Sequence, residues 1–146
     1  MSNDFDKKLL DDVAQHGWHC VQILEDREGP GYSFTVGLFK THKHPELMVM
    51  GLPNEVAHQI LGMASEQIAR GHVFKADTRD DSLLEGNECL FRTVPSEAYR
   101  KYLGYAVWFY KDSPQSFPAL QILWPDPDGK FPGEPGFSLG ANQPTL

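Results

Sequence analysis

At 146 residues, with 40% hydrophobic and 23% charged side chains, the chain has the composition of one globular domain and the length to bury a core of its own. Its formal charge of -7 argues against nonspecific attraction to phosphate backbones, which needs clustered Lys and Arg, so nucleic acid is not an expected partner. A membrane is not expected either, because no apolar run approaches the roughly 20 residues that span a bilayer and the opening MSNDFDKKLL has no apolar signal core. Cys20 and Cys89 each lie inside an apolar, strand-like run, the setting of reduced thiols in a cytosolic protein rather than of a disulfide. The expectation is one cytoplasmic domain over residues 1–146.

In chain order, Phe5, Leu9, Leu10 and Val13 share one side of a helix that starts near Asn3 and stops at Gly17. Residues 18–24 read as a strand and EDREGPG as a turn, so a hairpin with residues 32–39 is expected. Within 32–39, Tyr32, Phe34, Val36 and Leu38 alternate with Ser33, Thr35, Gly37 and Phe39, the period of a strand with one buried face. The uniformly apolar run 47–52 extends that sheet. After Pro53 the period changes to 3.6: Ala57, Ile60, Leu61, Ala64 and Ile68 form one stripe, with Asn54 as the expected cap and Gly71 beyond the end. Residues 73–75 read as a short strand, 77–87 as a charged loop, 88–94 as a strand, and Ser96 as the cap of an aromatic-rich helix that Gly104 interrupts. Residues 119–124 form a last strand of high β propensity. The Pro/Gly-rich tail 125–146 cannot be regular structure and either wraps the surface, anchored by Phe131 and Phe137, or stays unordered. The fold expected is α+β: a mostly antiparallel sheet of five or six strands, with a partial barrel as its curled form and two or three packed helices. Phe34, Val36, Leu47, Val49, Ile60 and Leu61 should be buried together.

Between the strand runs lies KTHKHPE, the densest cluster of chemically useful side chains. On an extended backbone His42, His44 and Glu46 would point to one side, a spacing that permits three metal ligands but names no fourth; a hydrogen-bonded His44 and a solvated His42 is the plainer reading, and no metal site is assigned. WPD at 124–126 invites comparison with the acid loop of tyrosine phosphatases, yet neither cysteine has an arginine six positions on. Trp124 then reads as a core or pocket-wall aromatic, and Asp126 and Asp128 as turn formers before Gly129. Ser33 and Thr35 face solvent on the plainest reading, or serve a bound phosphate together with Lys40, Lys43 and Arg92. Tyr99, Tyr102, Tyr105, Trp108, Phe109 and Tyr110 are expected chiefly in the core, otherwise as a ligand wall or dimer face.

Gly17-Trp18, YSFTVGL, HPEL at 44–47, Gly51-Leu52-Pro53 and the stretch from Leu120-Gln121 through WPDPDGKFP together resemble a bacterial family catalogued as domain-of-unknown-function family 4262. Gly133 stands where that family often carries Trp. The resemblance implies a compact cytosolic bacterial domain and brings no agreed activity. The order of elements is also similar to that of flavin-binding split barrels. Three classes of function follow: a small-molecule binding domain or enzyme with its cleft near the His42–Glu46 loop and Trp124; a flavin-dependent oxidoreductase; and a protein-interaction module without chemistry. The first leads, with His44 and Asp126 as a proton-transfer pair in one shared cleft and Tyr32, Ser33, Thr35, Glu46 and Trp124 as ligand-binding residues. Its cofactor is unknown, and its expected partners are a small-molecule ligand and a second copy in a homodimer.

Overall fold

In the computed structural model, which describes residues 4–27, 29–84, 87–113, 116–132, 134–135, 143 and 146, one sheet of six strands has the order β1-β2-β3-β6-β5-β4. The strands are β1 (His19–Ile23), β2 (Tyr32–Val36), β3 (Glu46–Met50), β4 (Arg79–Leu84), β5 (Asn87–Thr93) and β6 (Ala119–Leu123). Neighbours are antiparallel except β3 and β6, which run parallel at the centre with Glu46 opposite Ala119 and Val49 opposite Ile122. Every residue of these two central strands is buried, which is why 47–52 reads as a continuous apolar run rather than an alternation. The sheet is open, with β1 and β4 as its edges, and not the partial barrel.

Helices cover both faces: α1 (Asp4–His16), α2 (Leu38–His42), α3 (Asn54–Ala69), α4 (Tyr99–Tyr102) and α5 (Gly104–Phe109), with a 3-10 turn at Ser96–Ala98 before α4. Side chains alternate across a strand, so Phe34 and its partner Met48 share the face under α1 and α5, whereas Leu47 and Val49 lie under α3. The six residues expected in one core are all buried, but the sheet divides them: Phe34 and Val36 fall on one side, Leu47, Val49, Ile60 and Leu61 on the other.

Other departures have local causes. In α1 only Leu9 and Val13 are buried; Phe5 is 38% exposed and Leu10 47%, because the stripe facing the sheet is narrower than the apolar side of the helix. The strand expected over 32–39 ends at Val36. Gly37 (φ 112) turns the chain into α2, and a Cβ there would meet the Gly17 carbonyl oxygen at 2.9 Å, so only glycine fits this junction. Pro53, not Asn54, precedes the first turn of α3, and no side chain caps it. Likewise Pro95, not Ser96, precedes the 3-10 turn, and no side chain caps it. Residues 73–75 are not a strand; Phe74 instead plugs the α3-side core, stacked on Phe91 at 4.9 Å between ring centroids. The charged stretch 77–87 contains β4, whose polar side chains suit a sheet edge and whose pairing with β5 shifts register between Asp80 and Leu84. Cys20 and Cys89 are both free, and burial pushes their thiols up to about 11 and about 12.

The described part of the tail wraps back onto the sheet. Phe131 is buried against Leu90 and Leu123, and Leu146 packs on the α1 and α5 side. The Gln143 amide brackets the backbone of Trp124, its Oε1 accepting from the amide N–H and its Nε2 donating to the carbonyl, both at 2.7 Å. Phe137 and Gly133 lie outside the described residues. No described helix is long and apolar enough to cross a membrane.

Candidate functional site

The parallel pairing of β3 and β6 decides where the candidate residues can meet. His44 precedes the start of β3, which is level with the start of β6, while Trp124 and Asp126 follow the end of β6. A five-residue strand spans about 13–16 Å at roughly 3.3 Å per residue, so the two polar turns occupy opposite ends of the sheet. The shared His44 and Asp126 cleft is therefore corrected: the pair does not form.

Each of the two residues is spent locally. The His44 ring lies 2.8 Å from the Pro45 carbonyl through Nδ1 and accepts the Phe74 N–H at Nε2 at 2.9 Å, which requires the neutral Nδ1–H tautomer. Burial lowers its pKa below the ordinary 6.5, helped by His72 and His42 and opposed by the Pro45 contact. With Nε2 engaged by a backbone amide, no lone pair is left for a metal. Asp126 takes the turn-forming role: its Oδ1 accepts from the amides of Asp128 and Lys130, each at 2.9 Å, and its carbonyl accepts from Gly129 N–H. Trp124 donates its indole N–H to the Met50 carbonyl at 2.9 Å and walls the α3-side core.

Glu46 is the residue around which the opposite end is built. The sequence places it in a loop; the structure makes it the first residue of β3, 1% exposed. Five donors converge on its two oxygens. Thr35 Oγ1 (2.7 Å) and Leu38 N–H (3.1 Å) reach Oε1, while Gly37 N–H (3.0 Å), Phe39 N–H (3.1 Å) and the Tyr110 hydroxyl reach Oε2. The carboxylate thus caps the start of α2 from the next strand, answering amides that no residue within α2 satisfies. Burial pushes its pKa above the usual carboxylate value, and the hydrogen bonds from Tyr110, Thr35, Phe39 and Gly37 oppose that shift. Thr35 completes the circuit by accepting Leu47 N–H at 2.9 Å, and Tyr110 does so by accepting Lys40 N–H at 3.2 Å. Burial, together with the neighbouring Glu46, pushes the Tyr110 phenol up.

Thr35 and Glu46 are therefore together, but wholly inside. Ser33 and Thr35, expected on an exposed face or at a phosphate, are fully buried because their side of β2 lies under α3. Among the described residues the Ser33 hydroxyl has no hydrogen-bond partner. Arg92 is paired with Asp77 at 3.0 Å on β5, so these donors do not gather at one phosphate site. Tyr32 is half-buried against Phe34 and Tyr102, and burial holds its phenol up at about 12. His42, at the end of α2, is exposed and does not join His44 and Glu46 in a ligand row; the described residues contain no cluster of three metal-ligating side chains.

In front of the Glu46 network lies an open cleft of about 450 Å3. Phe39, Lys40 and Lys43 from α2 and its C-terminal turn form one wall; Trp108, Phe109, Tyr110 and Lys111 form the other. Lys43 adopts the left-handed region (φ 59), a cost that a glycine would avoid. The Tyr110 ring belongs to the cleft wall while its hydroxyl points inward to Glu46. A second hollow of about 560 Å3 adjoins, sharing Leu10, Lys40 and Phe109 and reaching Thr41 and His42. Sequence reasoning singled out Lys40 and Lys43 and allowed a ligand wall for Trp108 and Phe109, but not Lys111 or the meeting of the two stretches. The one available signal was a lone Glu opening an otherwise apolar strand, since a buried carboxylate must collect donors from elsewhere.

Fold and site together define an α+β domain with a buried carboxylate network behind one cleft. The chain belongs to a known family: it matches the model described as Domain of unknown function (DUF4262) over residues 12–138. No curated protein and no solved structure matches it.

Proposed function

We propose that this domain binds a small molecule in the cleft between α2 and the end of α5. The carrying observation is a concavity whose aromatic walls are tied from behind: Tyr110 in one wall and the backbone of Phe39 in the other are both hydrogen-bonded to Glu46. Small-ligand sites are typically clefts of about 300–1,000 Å3 with largely preformed, mostly apolar walls, and this one fits that description. It lies beside the His42–Glu46 loop and away from Trp124. Binding is favoured over catalysis because Glu46 and the Tyr110 hydroxyl face each other behind the wall and leave no acid or base pair aimed at a ligand.

The test is a two-dimensional NMR screen of the 15N-labelled protein against small aromatic fragments of varied charge. Fragments that bind should shift the Trp108 indole and the amides of Lys40 and Lys111, leaving Trp124 unmoved. Shifts confined to the Trp124 end, or none with any fragment, would contradict the proposal.

A further inference from the structure

Resting on the proposed ligand-binding role of this cleft, we infer that its ligand is an oxyanion carried on a flat apolar body. The protein has a formal charge of -7, so a local excess of positive charge runs against its overall balance. Yet the cleft is lined by three lysines and by no carboxylate. None of the three is in an ion pair among the described residues, so no neighbouring carboxylate offsets their charge by direct pairing. The ammonium groups are also held against the walls. Lys40 Nζ lies 5.7 Å from the Phe109 ring centroid, Lys43 Nζ 5.8 Å from Phe39, and Lys111 Nζ 5.7 Å from Trp108.

These contacts have a consequence for selectivity. A cation over an aromatic face gains a modest electrostatic attraction, which keeps each lysine along the cleft instead of extended into water. The rings then offer flat apolar surface, and the flanking ammonium groups offer charge-assisted hydrogen bonds to a carboxylate or phosphate. A cationic ligand would meet three uncompensated positive charges. A neutral one would use only the rings. Because these lysines stand at the mouth of an otherwise acidic protein, the field also draws small anions toward this opening.

The chemistry is shared by aromatic carboxylates and by phosphate esters of aromatic alcohols, and the probes separate them: 2-naphthoate, 2-naphthyl phosphate and the uncharged 2-naphthamide, titrated into the intact protein by NMR. The expected result is that at least one of the two anions binds about tenfold or more tighter than the amide, shifting the Trp108 indole and the Lys40 and Lys111 amides. That advantage should shrink as sodium chloride is raised and fall to about twofold or less in the triple variant K40Q/K43Q/K111Q. Tighter phosphate than carboxylate assigns the head group to phosphate, and the reverse to carboxylate; either supports the inference. If 2-naphthamide binds this cleft as tightly as both anions, or the triple variant keeps the full anion advantage, the anion assignment is overturned and small-molecule binding stands. If neither these probes nor the wider fragment set enters the cleft, both fall together.

Discussion

The two ends of the central parallel pair β3 and β6 use polar side chains in opposite ways. At the end of β6, Asp126 folds its own turn, Trp124 reaches the Met50 carbonyl, and Gln143 closes on Trp124. These contacts close the turn on itself and tie Trp124 and the tail to the sheet. At the start of β3, Glu46 gathers donors from β2, α2 and the end of α5, which fixes two elements on either side of an open cleft. Polar content alone therefore does not mark a site. What distinguishes the β3 end is that donors from β2, α2 and the end of α5 converge on one buried carboxylate while aromatic and cationic groups are left facing outward.

The contrast is broken most severely at Glu46. Glu46→Ala leaves three amides, two of them buried and one half-buried, and two hydroxyls without their acceptor, and should cost about 3–5 kcal/mol in denaturant unfolding. A loss below about 1 kcal/mol, the range of an ordinary surface change, would remove Glu46 from its central place.

His44→Ala, which strands the Phe74 amide, should cost about 1–3 kcal/mol. It also carries a pH signature. Because burial depresses the folded-state pKa below 6.5, the unfolded chain takes up the proton first on acidification. The stability owed to neutral His44 is complete above about pH 6.5 and is lost as pH falls toward the folded value. The wild-type protein should therefore lose more stability between about pH 7 and pH 5 than His44→Ala does; parallel pH profiles would contradict the neutral, amide-bound His44.

The smallest effect is expected at the other end. Asp126→Asn keeps an Oδ1 acceptor for Asp128 and Lys130, so the turn should be retained and fragment binding at the far end of the sheet should not change. In the double variant with His44→Ala the two losses should add within about 0.5 kcal/mol, as for residues far apart with no common partner. Strong coupling would restore a shared site for the pair.

Much of the architecture is legible along the chain, because period and punctuation are local properties. The α3 stripe, the β1 and β2 hairpin and the β6 strand follow from spacing and from flanking Gly and Pro. The residues of the site are less legible for a physical reason. His44 and Asp126 look reactive in sequence because each neighbours proline and other polar groups, yet the backbone amides that occupy them belong to Phe74, Asp128 and Lys130. Thr35 and Ser33 look like the wet side of a strand, and only the position of α3 shows that this side is dry. The cleft needs α2 and the end of α5 side by side. No periodicity in either stretch encodes that meeting, which rests on Glu46 accepting from both.

That acceptor role is tested most directly by amide hydrogen exchange, followed residue by residue at Gly37, Leu38, Phe39 and Lys40. A helix of only five residues has little stability of its own, and without tertiary anchoring these amides would exchange in step with the neighbouring loop. Held by Glu46 and Tyr110, all four should exchange as slowly as the core amides of β3 and collapse to fast exchange in Glu46→Ala under conditions where that variant remains folded. Fast exchange at Gly37, Leu38 and Phe39 in the wild-type protein would contradict a buried carboxylate holding the cleft together.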